Sequence, residues 1–507
     1  MVLPDKYSRL IRSKLEYYKV MTTLTLLCFV VVVSIYYFTY KDIVLEKTHY
    51  NMMGYFGWIL IFIYIVSWKK VTGEYLSIYM LFAAFLFLFC YGQALFYPFN
   101  VIESVRDVFN SYWASADYLF PSEYFSLLCF VTFHFGAIMI VNEKAVLRTH
   151  DVVFAKDSTA PVQSTVRNKA ILQAGVICAI ISAVPFAIMC YYNFKAVQSS
   201  GYGQSILYDA NSLNRIITIL DNIFVPSLFC IYIQILKKKK LKLLFLASLA
   251  LIVLFQLHIG TRGNAMVIVL GLVLIEHFYV KPFKGKRLLA FIIVSYLALV
   301  TVSGIGKIRT LSNRDFQGTI NAIFSSFVNV DYLFETITMF GKQIQTLMKT
   351  MEIVPSEYPY RYGTGYLWGT TTIIPNLGFW DVHPADAYAG FDSWLTEVAG
   401  LVGYGSGYAM TTEAYINGGM YFGMLFLVPQ GMFASAVSTR LNKQTIRERP
   451  DIACLAFLIA LPLMTLPRQI YTYIFRQIVY YAVSIFLLTK FIYANYKSRK
   501  SIQQASK

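Results

Sequence analysis

The residues in this chain best suited to chemistry are charged side chains that interrupt apolar sequence. Arg262 opens an apolar run in Gly260-Thr261-Arg262-Gly263. A helix N-terminus presents free N–H groups and positive potential, so an Arg there builds an anion site. The plainer reading is an Arg that snorkels to headgroups and closes a turn. Lys307, Arg309 and Arg314 lie within eight residues. Three cations so close suit a phosphate or pyrophosphate, which Arg grips bidentately. They serve equally as a solvated loop pairing with Asp315 and lipid phosphates. Arg468 and Arg476 are eight residues apart. They either complete a cationic ring with Arg262 and Arg309 or anchor the chain at the membrane interface.

Two residues are candidate bases. Glu413 stands one turn into an apolar run, in Thr411-Thr412-Glu413-Ala414-Tyr415-Ile416-Asn417-Gly418-Gly419. An ionisable group inside a membrane span is costly and marks a site by default; the alternative is charge stabilisation of a helix N-terminus. His383 is a histidine in a Pro-flanked loop. Rigid elements position catalytic groups better than loops do, which favours Glu413. Between Tyr358 and Tyr408 the sequence interleaves aromatics with Gly and Pro, and three of the chain's six Trp fall there, Trp368, Trp380 and Trp394. Aromatic faces with polar edges stack on sugar rings, and they also form the belt at a bilayer surface.

The elements that must position these groups are membrane helices. The chain has 507 residues, is 57% hydrophobic and only 14% charged. Apolar runs of about 20 residues read as spans. We place twelve, at about 20–40, 54–67, 75–98, 124–141, 170–192, 216–236, 241–258, 264–280, 288–304, 410–434, 451–466 and 477–496. The expectation is an all-α polytopic membrane protein in three parts, namely a bundle over 1–304, an external loop over 305–409 and a bundle over 410–507. The periodicity of 319–352 predicts a one-faced helix on the membrane surface or capping the bundle. Lys and Arg orient the bundle. With the N-terminus in the cytoplasm, 30 of the 44 Lys and Arg but only 9 of the 27 acids lie inside. The net charge of +17 is thus a topology signal, and no nucleic-acid partner is implied. The seven cysteines fall in or beside spans, which argues against an external disulfide framework. No phosphate-binding Gly loop, dinucleotide fingerprint or metal-ligand spacing occurs, so no cofactor is expected.

The pattern resembles the O-antigen or oligosaccharide repeat-unit polymerases of the Wzy type. The matching pieces are Gly260 to Gly263 opening a span, the basic entry from Lys307 to Arg314, Glu413 with Asn417-Gly418-Gly419, and Arg476 beside the last span. The resemblance implies metal-independent glycosyl transfer between undecaprenyl-pyrophosphate-linked repeat units, on the outer face of the bacterial cytoplasmic membrane. It also implies a lipid-linked oligosaccharide and membrane lipids as partners, together with a chain-length regulator protein, and an O-antigen, capsule or exopolysaccharide product. Two other readings are an O-antigen ligase-like glycosyltransferase, which His383 would suit, and a non-enzymatic flippase of lipid-linked oligosaccharide. A transporter predicts pseudo-symmetric halves, and no repeat is visible.

Overall fold

A computed structural model describes residues 5–99, 113–142, 162–200, 215–259, 261–308, 317–318, 321, 324, 337–376, 379–401 and 405–505. The elements described are helical throughout. Among the described residues ten helices are long and apolar enough to cross a membrane, and a shorter apolar helix covers Ile78–Tyr91. Each of the twelve apolar runs falls on a helix. The run at 75–98 ends early because Gly92 and a 3-10 turn containing Pro98 stop the helix. The protein is an all-α polytopic membrane protein. It has two compact units, interleaved in sequence, one comprising 1–156, 337–442 and 463–476, the other 157–336, 443–462 and 477–507.

The first unit holds α1 (Asp5–Tyr40), α2 (Lys47–Thr72), α3 (Ile78–Tyr91) and α4 (Leu119–Ile140). Its later chain segments add α5 (Ile344–Ile353), α6 (Thr364–Thr370), α7 (Pro384–Ala389), α8 (Phe391–Val398), α9 (Met410–Phe422), α10 (Leu427–Arg440) and α11 (Tyr471–Gln477). Helices α4 and α10 pack with their backbones almost touching. A Cβ at Gly136 would lie 2.2 Å from the Val428 carbonyl oxygen, and one at Gly431 would lie 1.9 Å from that of Phe133. Small residues permit this approach, which van der Waals packing then stabilises. A buried polar cluster ties α2, α3 and α4. His134 bonds Ser67 at 2.6 Å and Tyr79 at 2.5 Å, and its ring stacks on Tyr64 at 4.0 Å. Such bonds are satisfied inside the bundle because lipid offers no partner. Of the 319–352 segment, residues 321, 324 and 337–352 are described; Phe324 and Met339 are exposed, whereas in α5 Ile344, Leu347, Met348, Thr350 and Met351 are all buried. The polar side chains of α5 have internal partners, as where the Thr346 and Thr412 hydroxyls meet at 2.8 Å.

The second unit holds α12 (Val162–Ser200), α13 (Arg215–Ile235), α14 (Lys239–His258), α15 (Arg262–Ile275) and α16 (Lys286–Ile308). It is completed by α17 (Lys443–Glu448), α18 (Pro450–Leu463) and α19 (Ser484–Ala505). Helices α12 and α13 form its main pair. A Cβ at Gly175 would lie 2.9 Å from Cys230, and the rings of Phe186 and Phe224 stack at 4.5 Å. Asp451, 2% exposed, starts α18 and gathers Lys490 at 2.5 Å, Arg449 at 3.5 Å and Arg167 at 3.7 Å. A carboxylate so buried persists only when paired.

Candidate active site

Glu413 is built into a broken helix. Gly419 takes φ 67°, ψ −165° inside α9, a conformation essentially restricted to glycine. That break frees the carbonyls just before it. The Ile416 carbonyl accepts the Arg361 N–H at 2.8 Å, and the Asn417 carbonyl accepts the Gly363 N–H at 3.0 Å. The Asn417 side chain closes the arrangement, donating to the Glu413 carbonyl at 2.8 Å and accepting the Gly365 N–H at 3.2 Å. A Cβ at Gly419 would meet the Tyr360 ring at 3.0 Å. Asn417-Gly418-Gly419 is therefore a clasp that holds residues 361–365 across the head of α9.

The Glu413 side chain lies beneath this clasp, 1% exposed. Its Oε2 accepts the Tyr471 N–H at 2.8 Å, which joins α9 to the first residue of α11. Its Oε1 has no hydrogen-bond partner among the described residues. One oxygen is thus fixed and the other is buried without a partner among the described residues. The hydroxyls of Tyr366 and Tyr408 are also buried, within reach of Gln430 and Thr350 respectively. Burial first, and then the neighbouring Glu413 charge, push both phenols well above their ordinary range, so they stay neutral. Asp392, on α8, lies within electrostatic reach of Glu413 and of Arg476. Burial raises its carboxyl above the ordinary range, against the Ser393 N–H bonded to it at 2.9 Å and the Arg476 charge. Glu413, Asp392 and Arg476 thus share one neighbourhood of the first unit.

His383 is differently employed. It caps the N-terminus of α7: its Nδ1 accepts the Ala385 N–H at 3.1 Å, and Nε2 meets the Ile374 carbonyl at 2.9 Å. Acceptance at Nδ1 fixes the neutral tautomer with its proton on Nε2. Both ring nitrogens are therefore engaged, and Trp380 packs edge-on against the ring at 5.0 Å. Trp394 is half-buried against Tyr358 at 5.3 Å. Trp368 is the exposed one of the three, 42% accessible, with Tyr388 at 5.1 Å. Arg468 lies over the Phe89 ring at 5.8 Å, and Arg476 over Tyr473 at 5.2 Å.

The remaining cations belong to the second unit. Arg262 is the first residue of α15, after a turn in which Thr261 bonds the Gln256 carbonyl at 3.0 Å. Lys307 falls near the end of α16. The side chains of Arg262 and Lys307, and all of Arg309 and Arg314, lie outside the described residues. Among the described residues no cluster of three or more His, Cys, Asp or Glu could hold a metal ion.

Sequence reasoning missed Glu123. It is fully buried in the second turn of α4. The buried Tyr97 hydroxyl stands within hydrogen-bonding reach of its carboxyl. The apolar run read from the sequence begins at 124, one residue after Glu123, so the criterion that singled out Glu413, a carboxylate inside an apolar run, passed Glu123 by. Asp392 gave no such signal, because it lies in no apolar run.

Comparison with known families gives one result. The family model for the O-antigen polysaccharide polymerase Wzy matches residues 20–501. The chain belongs to that family. No curated protein and no solved structure matches it.

Proposed function

With membership of the polymerase family as premise, we propose that this enzyme joins undecaprenyl-pyrophosphate-linked oligosaccharide repeat units on the outer face of the bacterial cytoplasmic membrane, without a metal, and that Glu413 is its base. The observation that carries this reading is the Glu413 carboxyl, buried in the first turn of α9 with Oε2 anchored to Tyr471 and Oε1 without a partner among the described residues. A general base needs a fixed carboxylate with one oxygen open to a hydroxyl. The acceptor sugar hydroxyl attacks the anomeric carbon of the donor glycan. A new C–O glycosidic bond forms as the bond from that carbon to the pyrophosphate oxygen breaks. The hydroxyl proton passes to Glu413, and the bonding electrons leave with the lipid pyrophosphate. The leaving group needs counter-charge rather than a proton. Arg476, whose charge acts on Asp392, is one cation proposed for this task, with Arg262, Lys307, Arg309, Arg314 and Arg468.

With both nitrogens of His383 bound within its own loop, the ligase-like alternative has no free histidine there. The test is Glu413→Gln, which keeps shape and hydrogen bonding but cannot take a proton. We expect single repeat units on lipid and no polymer, with the variant at normal level in the membrane and still binding lipid-linked substrate. Normal polymer from the Gln variant would remove Glu413 as base.

A further inference from the structure

The segment linking α5 to α8 is unusual in what it exposes. One face of α6 is made of Gly365 and Gly369, which press on Phe391 and Asn417 and on Thr472 and Tyr471. The opposite face and the following turns present Leu367, Trp368, Ile374, Phe379, Val382 and Tyr388 to the outside. Phe379 is 70% and Leu367 71% exposed. From Tyr362 to Tyr388 the chain has two acids, Asp381 and Asp386, and no Lys or Arg. Exposed apolar area of this extent, outside any helix long enough to span, needs a partner.

The surface it adjoins names that partner. Tyr366 packs on Phe426 at 5.0 Å, and a Cβ at Gly363 would touch the same ring at 3.1 Å. Phe426 lies in the candidate span Met410–Arg440, which exposes Tyr421, Phe422 and Leu425 beside it. The apolar face of the hairpin is therefore continuous with the lipid-facing side of a span. The Trp368–Tyr388 contact at 5.1 Å joins α6 to α7 in that face.

We propose that the α6–α7 hairpin is seated in the bilayer, its exposed aromatic and aliphatic face packed on phospholipid acyl chains at the headgroup boundary. A depth of about 5–10 Å is usual for such interfacial elements. Trp368, which the sequence offers equally to a sugar, faces lipid. The hairpin brings the head of α9, and Glu413 with it, to the level of the headgroups. This inference stands on exposure and continuity, and it holds whether or not Glu413 is the base.

The test uses the full chain in vesicles of phosphatidylethanolamine and phosphatidylglycerol with tritiated acyl chains. A photoreactive benzoylphenylalanine replaces Leu367 or Val382, with Phe422 as lipid-facing control and Ser393, exposed on α8, as water-facing control. Samples are compared only where the variant unfolds at the wild-type temperature. The expected result is labelled lipid adduct at 367 and 382 at the level of the 422 control. Adduct no greater than at 393, or cross-linking to a glycan or to a second copy of the chain, would overturn the proposal.

Discussion

At the scale of single residues, the molecule separates side chains that hold structure from those left able to react. His383 spends both nitrogens on its loop. We expect His383→Ala to keep polymer formation while losing about 1 kcal/mol of stability, the usual worth of a helix cap; a thermal melt in detergent and the glycan profile read the two effects. A polymer-less His383 variant beside an active Glu413→Gln would move the assignment to the ligase-like reading. For the pyrophosphate, Arg262→Ala and Arg309→Ala should each stop polymerisation with protein still in the membrane. Loss of one such charge-assisted contact costs on the order of 2–4 kcal/mol of transition-state stabilisation, and Arg→Lys should restore only part of it. Full activity of both Ala variants would sink the anion site. Asp392 gives a pH prediction. Burial raises its folded-state carboxyl above the ordinary value of 3.8. Its contribution to stability is thus complete below that value and lost as pH rises through the raised one. Asp392→Asn should flatten the decline in melting temperature above pH 4, and an unchanged slope would contradict the assignment.

At the scale of elements, what the sequence revealed and what it hid have a common physical cause. Membrane helices bury their own backbone bonds, so each apolar run is legible alone, and all twelve runs fall on helices. The Glu413 signal was legible for the same reason, whereas Glu123 stood one residue outside its run. The clasp was not legible. Asn417-Gly418-Gly419 stood out as a motif, but its work is to break α9 and receive the N–H groups of Arg361 and Gly363, which depends on a partner strand of chain about fifty residues away. The buried fate of α5 was hidden likewise, since periodicity shows an apolar face and not what covers it. The clasp can be tested by Gly419→Ala. Its φ of 67° disfavours any side chain by about 1–3 kcal/mol, and Tyr360 blocks the new methyl at 3.0 Å. We expect a lower melting temperature and reduced polymer together. A fully stable, fully active Ala variant would mean that the break in α9 is not needed.

At the scale of the whole molecule, charge distribution and site location make a joint demand. Read as twelve spans that alternate in direction, the apolar runs leave Lys and Arg gathered on alternate connections. The inner side so defined holds 30 of the 44 Lys and Arg. If that asymmetry sets orientation, the termini and Lys237–Lys240 are cytoplasmic, whereas 305–409, the clasp and the Glu413 end of α9 face outward. A reaction on lipid-linked glycans already exported requires that outward placement, so topology and proposed function stand or fall together. The division is sharp enough to measure with single cysteines at Gln317 and Ser158 and a membrane-impermeant maleimide. Gln317 is exposed, beside Asn321 at 3.2 Å. The cysteine at 317 should label in intact cells, and the one at 158 only after the membrane is opened. Labelling at 158 from outside would invert the bundle. It would place Glu413 on the face where nucleotide sugars are made, leaving a base with no exported acceptor to activate.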